Sequence, residues 1–145
     1  PGIRVGWVAS NTKVANILRD YRDYTMICAG VFDDMVATLV LENKEAILER
    51  NRQIIEENLA LMDEWIAKEP KASWIRPASV STSFVKLDVD RPIEVFALEL
   101  LQEYGVLVVP GNRFDKESHV RIGYCCDKEV LQKGLEKLSQ FLNKC

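Results

Sequence analysis

A single histidine and four cysteines in 145 residues leave little material for a metal centre. Cys28, Cys125, Cys126 and Cys145 lack the paired short spacings of a zinc site, and there is no Cys-x-x-Cys. Adjacent Cys125 and Cys126 at a strand end would point to opposite faces, so reduced structural thiols are expected. A secreted disulfide scaffold would be shorter and richer in cysteine, which favours a reducing compartment. No apolar run approaches the ~18 to 20 residues that span a bilayer, and no charged-then-apolar signal segment opens the chain. An excess of positive charge is missing too: 19 Lys and Arg stand against 22 Asp and Glu, for a net charge of −3. The basic residues are scattered, which argues against nucleic acid or an anionic membrane as the main partner, because both need a basic patch or stripe. Repeats and low-complexity stretches are absent. What is there is an ordinary soluble globular composition, 48% hydrophobic and 28% charged, enough for one domain or parts of two.

Residues 3 to 9 alternate weakly and read as a buried strand, followed by the capping cluster Ser10-Asn11-Thr12 and a helix from about Lys13 to near Thr25. An amphipathic pattern builds from Met35. From Glu42 to Lys68 it is sustained, with Ile47/Leu48, Ile54/Ile55, Leu59, Leu61/Met62 and Trp65/Ile66 at helical spacing and no proline or glycine between. One helix of roughly 40 Å is expected there. Its stripe is wider than a coiled-coil seam. Glu69-Pro70-Lys71 stops it, and residues 73 to 82, with Pro77 and four serines or threonines, read as irregular. The rest reads as strand Phe84 to Val89, helix from Pro92 to Tyr104 closed by Gly105, strand Val106 to Val109, loop Pro110 to Glu117, strand His119 to Tyr124 and a last helix capped by Asp127. That succession is a small α+β layer with helices on one side of a sheet.

The most informative residue lies in the run Ser118-His119-Val120-Arg121-Ile122-Gly123-Tyr124. Strand period puts Val120, Ile122 and Tyr124 on one face and His119, Arg121 and Gly123 on the other. A guanidinium on a rigid strand, beside a residue with no side chain, suits a carboxylate or phosphate. From this strand alone, a solvated arginine is the more common case.

Three motifs change that balance. The chain opens Pro1-Gly2-Ile3-Arg4-Val5-Gly6-Trp7, an apolar strand leads into Pro110-Gly111-Asn112-Arg113-Phe114, and Val120-Arg121-Ile122 precedes a final helix. In this order they closely resemble the C-terminal part of fold-type I pyridoxal-phosphate (PLP) aminotransferases, the class I/II group that includes aspartate and aromatic aminotransferases. The resemblance implies an α+β fold: a remnant of the large PLP-binding domain over 1–34, a long interdomain helix over 35–70 and the small C-terminal domain over 71–145. It implies PLP as cofactor, Arg4 as a ligand of its phosphate, and Arg121 as receptor of the substrate's α-carboxylate. Amino acid and 2-oxo acid substrates, a cytoplasmic location and a homodimer follow from the same likeness. In the family the Schiff-base lysine lies a few residues before the Pro-Gly-x-Arg motif. The resemblance therefore implies that this lysine is missing here, that no catalytic residue lies in the chain, and that these 145 residues alone are inactive. Lys13 and Lys86 are placed on a helix and an outer strand face and replace nothing. Gly123 fits a neighbour that must stay small, His119 a structural role, and Arg113 a solvated loop. Family members usually carry a serine and a glycine near the loop aromatic, where this chain has Asn112, Arg113 and Asp115, so side-chain specificity is open. Two alternatives stand beside this reading: a related PLP lyase or decarboxylase, and an autonomous α+β module that binds or dimerises through its long helix.

Overall fold

The computed structural model describes residues 2–144, which divide into two compact units, Pro1–Glu49 and Arg50–Cys145. In the first unit, α1 spans Thr12–Thr25 and α2 spans Val31–Glu42. Asn11 caps α1, its side-chain oxygen accepting the Val14 N–H at 3.0 Å, as the capping cluster predicts. The run 3–9 is a correction. It carries no strand and is exposed except for half-buried Val5, because a strand needs a neighbour to share its hydrogen bonds and none lies beside it among the described residues. Neither α1 nor α2 buries a residue.

The long helix, α3, spans Lys44–Lys68, and Asn43 separates it from α2. Its 25 residues correspond to about 37 Å at 1.5 Å per residue. Only its second half is buried, through Asn58, Leu59, Met62 and Trp65.

The second unit is built on a four-stranded sheet of order β1-β2-β4-β3, with β1 at Ala72–Trp74, β2 at Thr82–Leu87, β3 at Val109–Pro110 and β4 at His119–Gly123. Every neighbouring pair is antiparallel. Two details differ from expectation. A three-residue strand is too short to show alternation, so β1 hides in a stretch that reads as irregular. The run Val106–Val108 stays outside the ladder, which β3 enters only at Val109, opposite Arg121. Helix α4, Ile93–Tyr104, ends on Gly105 at φ 67°, a left-handed conformation that suits a residue without Cβ. Helix α5, Lys128–Leu142, is capped by Asp127, whose side chain accepts the Glu129 N–H at 2.9 Å.

One face of this sheet is covered. Val85 and Leu87 of β2 and Val120 and Ile122 of β4 join Phe96 and Leu100 of α4, Leu135, Leu138 and Phe141 of α5, and Met62 of α3 in a single core. Full burial of each large side chain contributes about 1.5–3 kcal/mol. Buried polar groups tie the layers together. Asn58 Nδ2 donates to the Tyr124 and Cys126 carbonyls at 2.7 and 2.8 Å, holding α3 to the end of β4. Trp65 Nε1 donates to Ser139 Oγ, which donates to Glu69 Oε2, at 2.8 and 2.6 Å, so the end of α3 is fastened to α5. Among the described residues no helix is long and apolar enough to cross a membrane.

Candidate functional site

The other face of the sheet carries no helix residue of that core. Thr82, Phe84 and Lys86 of β2 lie opposite Gly123, Arg121 and His119 of β4, and Val109 of β3 lies opposite Arg121 on the other side. Arg121 thus stands mid-sheet on the open face, exposed, while Val120, Ile122 and Tyr124 are buried beneath it. Strand period alone produces this division.

No carboxylate pairs with Arg121 among the described residues. Its guanidinium lies instead over the ring of Phe114, 5.2 Å from the centroid. That contact steadies a cation without occupying its N–H donors. Phe114 is itself braced edge-on against Phe84, the cross-strand partner of Arg121, with centroids 5.3 Å apart. His119 tilts toward the same Phe84 ring at 6.1 Å. Its Nδ1 lies 2.8 Å from the Glu117 carbonyl oxygen, which can only accept, so Nδ1 carries the proton and the ring is anchored locally.

Phe114 reaches this position through a tight loop. The 3₁₀ turn Gly111–Phe114 is followed by Asp115 and Ser118 at φ 54° and 60°, and the Ser118 carbonyl accepts the Leu87 N–H at 2.8 Å. A Cβ on Gly111 would sit 2.6 Å from the His119 carbonyl oxygen and closer still to that of Lys116. Both obstacles are backbone, so only glycine fits. Gly111→Ala is expected to cost about 1–3 kcal/mol, the range for forced overpacking, read as a lower midpoint in denaturant titration of the 145-residue chain. An unchanged midpoint would show that the loop can open.

Other candidates fall differently. A Cβ on Gly123 would meet nothing nearer than Thr82 at 4.0 Å, so the fold of this chain does not itself require a glycine there. Arg113 is an exposed loop arginine, as the sequence reading has it, and pairs at the surface with Glu94 at the start of α4, while Asn112 Nδ2 donates to the same carboxylate at 3.0 Å. Both polar side chains of the 3₁₀ turn thereby meet the same acid. Arg4 lies in the first unit, exposed in extended chain, with no hydrogen bond or ion pair among the described residues. Cys28, Cys125 and Cys126 are free thiols, and Cys145 lies outside the described residues. Burial, reinforced by the Asp127 carboxylate, pushes the Cys126 thiol up, and it stays protonated near neutrality. Burial likewise raises the pKa of Tyr124, against a smaller lowering by Arg76.

The bracing role of Phe84 escaped the sequence reading, although alternation against buried Val85 and Leu87 puts it on the face of Arg121. Asn58 escaped as well, since a polar residue inside an apolar helical stripe gives no sign of what it meets.

The chain as a whole is similar to known proteins. The crystal structure of a PLP-dependent aminotransferase from Streptococcus suis matches 99% of the chain with a TM-score of 0.95 at 67% identity, and the chain covers 38% of it. Aspartate aminotransferase from Thermotoga maritima matches 98% of the chain with a TM-score of 0.83 at 28% identity, with 36% of that protein covered. Capreomycidine synthase of Streptomyces vinaceus is 29% identical over 98% of the chain. The chain spans 37% of the length of that synthase. The model of the family "Aminotransferase class I and II" matches residues 1–138. The fold is accordingly that of the small domain of a fold-type I PLP enzyme, preceded by its long linking helix and part of the large domain, and the chain belongs to the class I and II aminotransferase family.

Proposed function

We propose that the full-length protein is a PLP-dependent aminotransferase that moves an amino group from an amino acid to a 2-oxo acid. The observation that carries this reading is Arg121, mid-sheet on an open face, braced by Phe114 and without a carboxylate partner among the described residues. Its fork of donors suits the α-carboxylate that both substrates share. The donor set fits an anionic cofactor too: Arg4, equally without an acid partner among the described residues, is the residue we assign to the phosphate of PLP. When bound, PLP supplies the electron sink that stabilises negative charge at the substrate's α-carbon. Arg121 does the orienting, since a two-point grip fixes the carboxylate plane and with it the direction of the Cα–H bond. Residues 1–34 we assign to the large domain, 35–70 to the linking helical stretch, which breaks at Asn43, and 71–145 to the small domain.

Amino transfer is tested with full-length protein, PLP, ¹⁵N-labelled amino acid and an unlabelled 2-oxo acid. The label is expected in the amino acid formed from the 2-oxo acid. Release of the label as ammonia, or loss of CO₂, would favour a second reading, a related PLP enzyme of another reaction type, which the likeness to a synthase supports.

We also propose that the 145-residue chain alone does not hold PLP covalently, since Lys13 and Lys86, both exposed, take the place of no cofactor lysine. After incubation with PLP and borohydride reduction, mass spectrometry is expected to find no stoichiometric pyridoxyl adduct at one site. A single specifically labelled lysine would overturn this.

A further inference from the structure

Two adjacent thiols stand just past the end of β4, and nothing in the proposed reaction uses them. The alternation that would send Cys125 and Cys126 to opposite faces stops at Gly123, the last residue of the strand. Beyond it both cysteines border one cavity of about 460 Å³, together with Arg50, Asn58 and Lys128 among others. Cys125 is exposed, Cys126 is half-buried, and both are free. Their segment is held from both sides. The Tyr124 N–H donates to the Ser81 carbonyl at 3.0 Å, Asn58 Nδ2 donates to the Tyr124 and Cys126 carbonyls, and Asp127 caps α5. A pair fixed in this way loses little further freedom when one centre grips both sulfurs.

Covalent geometry decides what can grip them. No peptide bond among the described residues is cis, so the two Cα atoms lie about 3.8 Å apart. Relaxed disulfides span about 4.4–6.8 Å between Cα atoms, so direct S–S closure here is strained. A bridging atom with bonds to sulfur of about 2.3 Å, the length found for zinc, lets the sulfurs stay about 3.5 Å apart and relieves that strain. Among the described residues no group of three or more His, Cys, Asp or Glu could complete a metal shell. The bridging centre is therefore one that two thiols satisfy and that brings its own remaining substituent, for which the cavity has the volume of a small-molecule site.

We propose that Cys125 and Cys126 form a two-thiol site for a thiophilic centre of the trivalent arsenical class. With an arsenoxide, R–As=O, the two S–H bonds and the As=O bond break, two As–S bonds form, and both protons leave with the oxide oxygen as water. Arsenic stays trivalent, so the step needs no oxidant or reductant.

Full-length protein is incubated with phenylarsine oxide in an excess of 2-mercaptoethanol, which displaces the arsenical from single thiols far more readily than from a chelating pair. Mass spectrometry is expected to find one arsenical, with the mass of phenylarsine oxide less one water, on the peptide that holds residues 125 and 126. A dithiol such as 2,3-dimercaptopropanol should remove it. Cys125→Ser and Cys126→Ser should each lower retention by about a hundredfold or more, because the second sulfur binds intramolecularly. Cys28→Ser, in the other unit, should change nothing. Cys126 is half-buried, so Cys126→Ala repeats the measurement should serine shift the thermal midpoint. No adduct at residues 125 and 126 in the unaltered protein, or retention at the parent level after loss of either sulfur, would overturn the proposal.

Discussion

Arg121→Ala in the full-length protein will leave PLP bound and its absorption spectrum intact, yet lower kcat/KM for amino acids by about 2 to 5 kcal/mol, the range for removing one partner of a desolvated charge pair. The loss has two parts. One is affinity for the carboxylate, which falls on both substrates because each carries that group. The other is orientation, which shows in kcat, because a substrate held at one end only presents its Cα–H bond in many directions. Arg121→Lys separates them. An ammonium restores the charge and not the fork, so it should recover part of the binding and little of kcat. Amines without a carboxylate never used the fork and should lose much less. Equal loss for amino acids and amines, or no loss for either, would reduce Arg121 to a residue that only shapes β4. Phe114 presents its ring face to the guanidinium, whose Cζ lies 5.2 Å from the ring centroid, and offers no acceptor oxygen that would compete with a carboxylate.

Much of the second unit was legible because its patterns are local. Alternation in β4 alone assigned Arg121 to the open face and Val120, Ile122 and Tyr124 to the core. Asn11, Asp127 and Gly105 end their helices by chemistry that acts within four residues. The failures are non-local. Residues 3–9 have strand composition, but composition supplies no partner strand, and without one an apolar run stays open. The edge strand β1 is fixed by its pairing to Val85, Lys86 and Leu87 rather than by its own three residues. At the candidate site, Arg121 stood out in the sequence, whereas its surroundings required the fold. Phe114 is seven residues away and Phe84 thirty-seven, and only the β2–β4 register and the Gly111 turn bring them together. The surface partner of Arg113 was out of reach for the same reason, since Glu94 lies on a helix nineteen residues upstream.

Asn58→Leu will destabilise the second unit by about 1 to 5 kcal/mol, although leucine suits the apolar stripe of α3 and branches at Cγ as asparagine does. Asn58 is 2% exposed and its amide donates to two carbonyls, those of Tyr124 and Cys126. Leucine takes this donor from a buried and a part-buried acceptor, and each such group costs up to about 1–3 kcal/mol. The added apolar burial offsets part of this, about 1 kcal/mol for a side chain already enclosed. Denaturant titration of the 145-residue chain reads the net effect. Asn58→Asp sharpens the test through pH. A carboxylate facing two carbonyl oxygens is repelled when ionised and hydrogen-bonds one of them when protonated, so its pKa in the folded chain must rise above the ordinary value of about 3.9. Below that ordinary value the protonated acid is bound in both folded and unfolded chains, and the variant stands closest to the parent. As pH climbs toward the raised folded value the unfolded chain releases its proton first, and stability falls until the folded acid ionises as well. The gap between parent and Asn58→Asp should therefore be smaller at pH 4 than at pH 7. A gap that is constant across this interval would mean that residue 58 reaches water, and that α3 is held to the end of β4 by apolar packing alone.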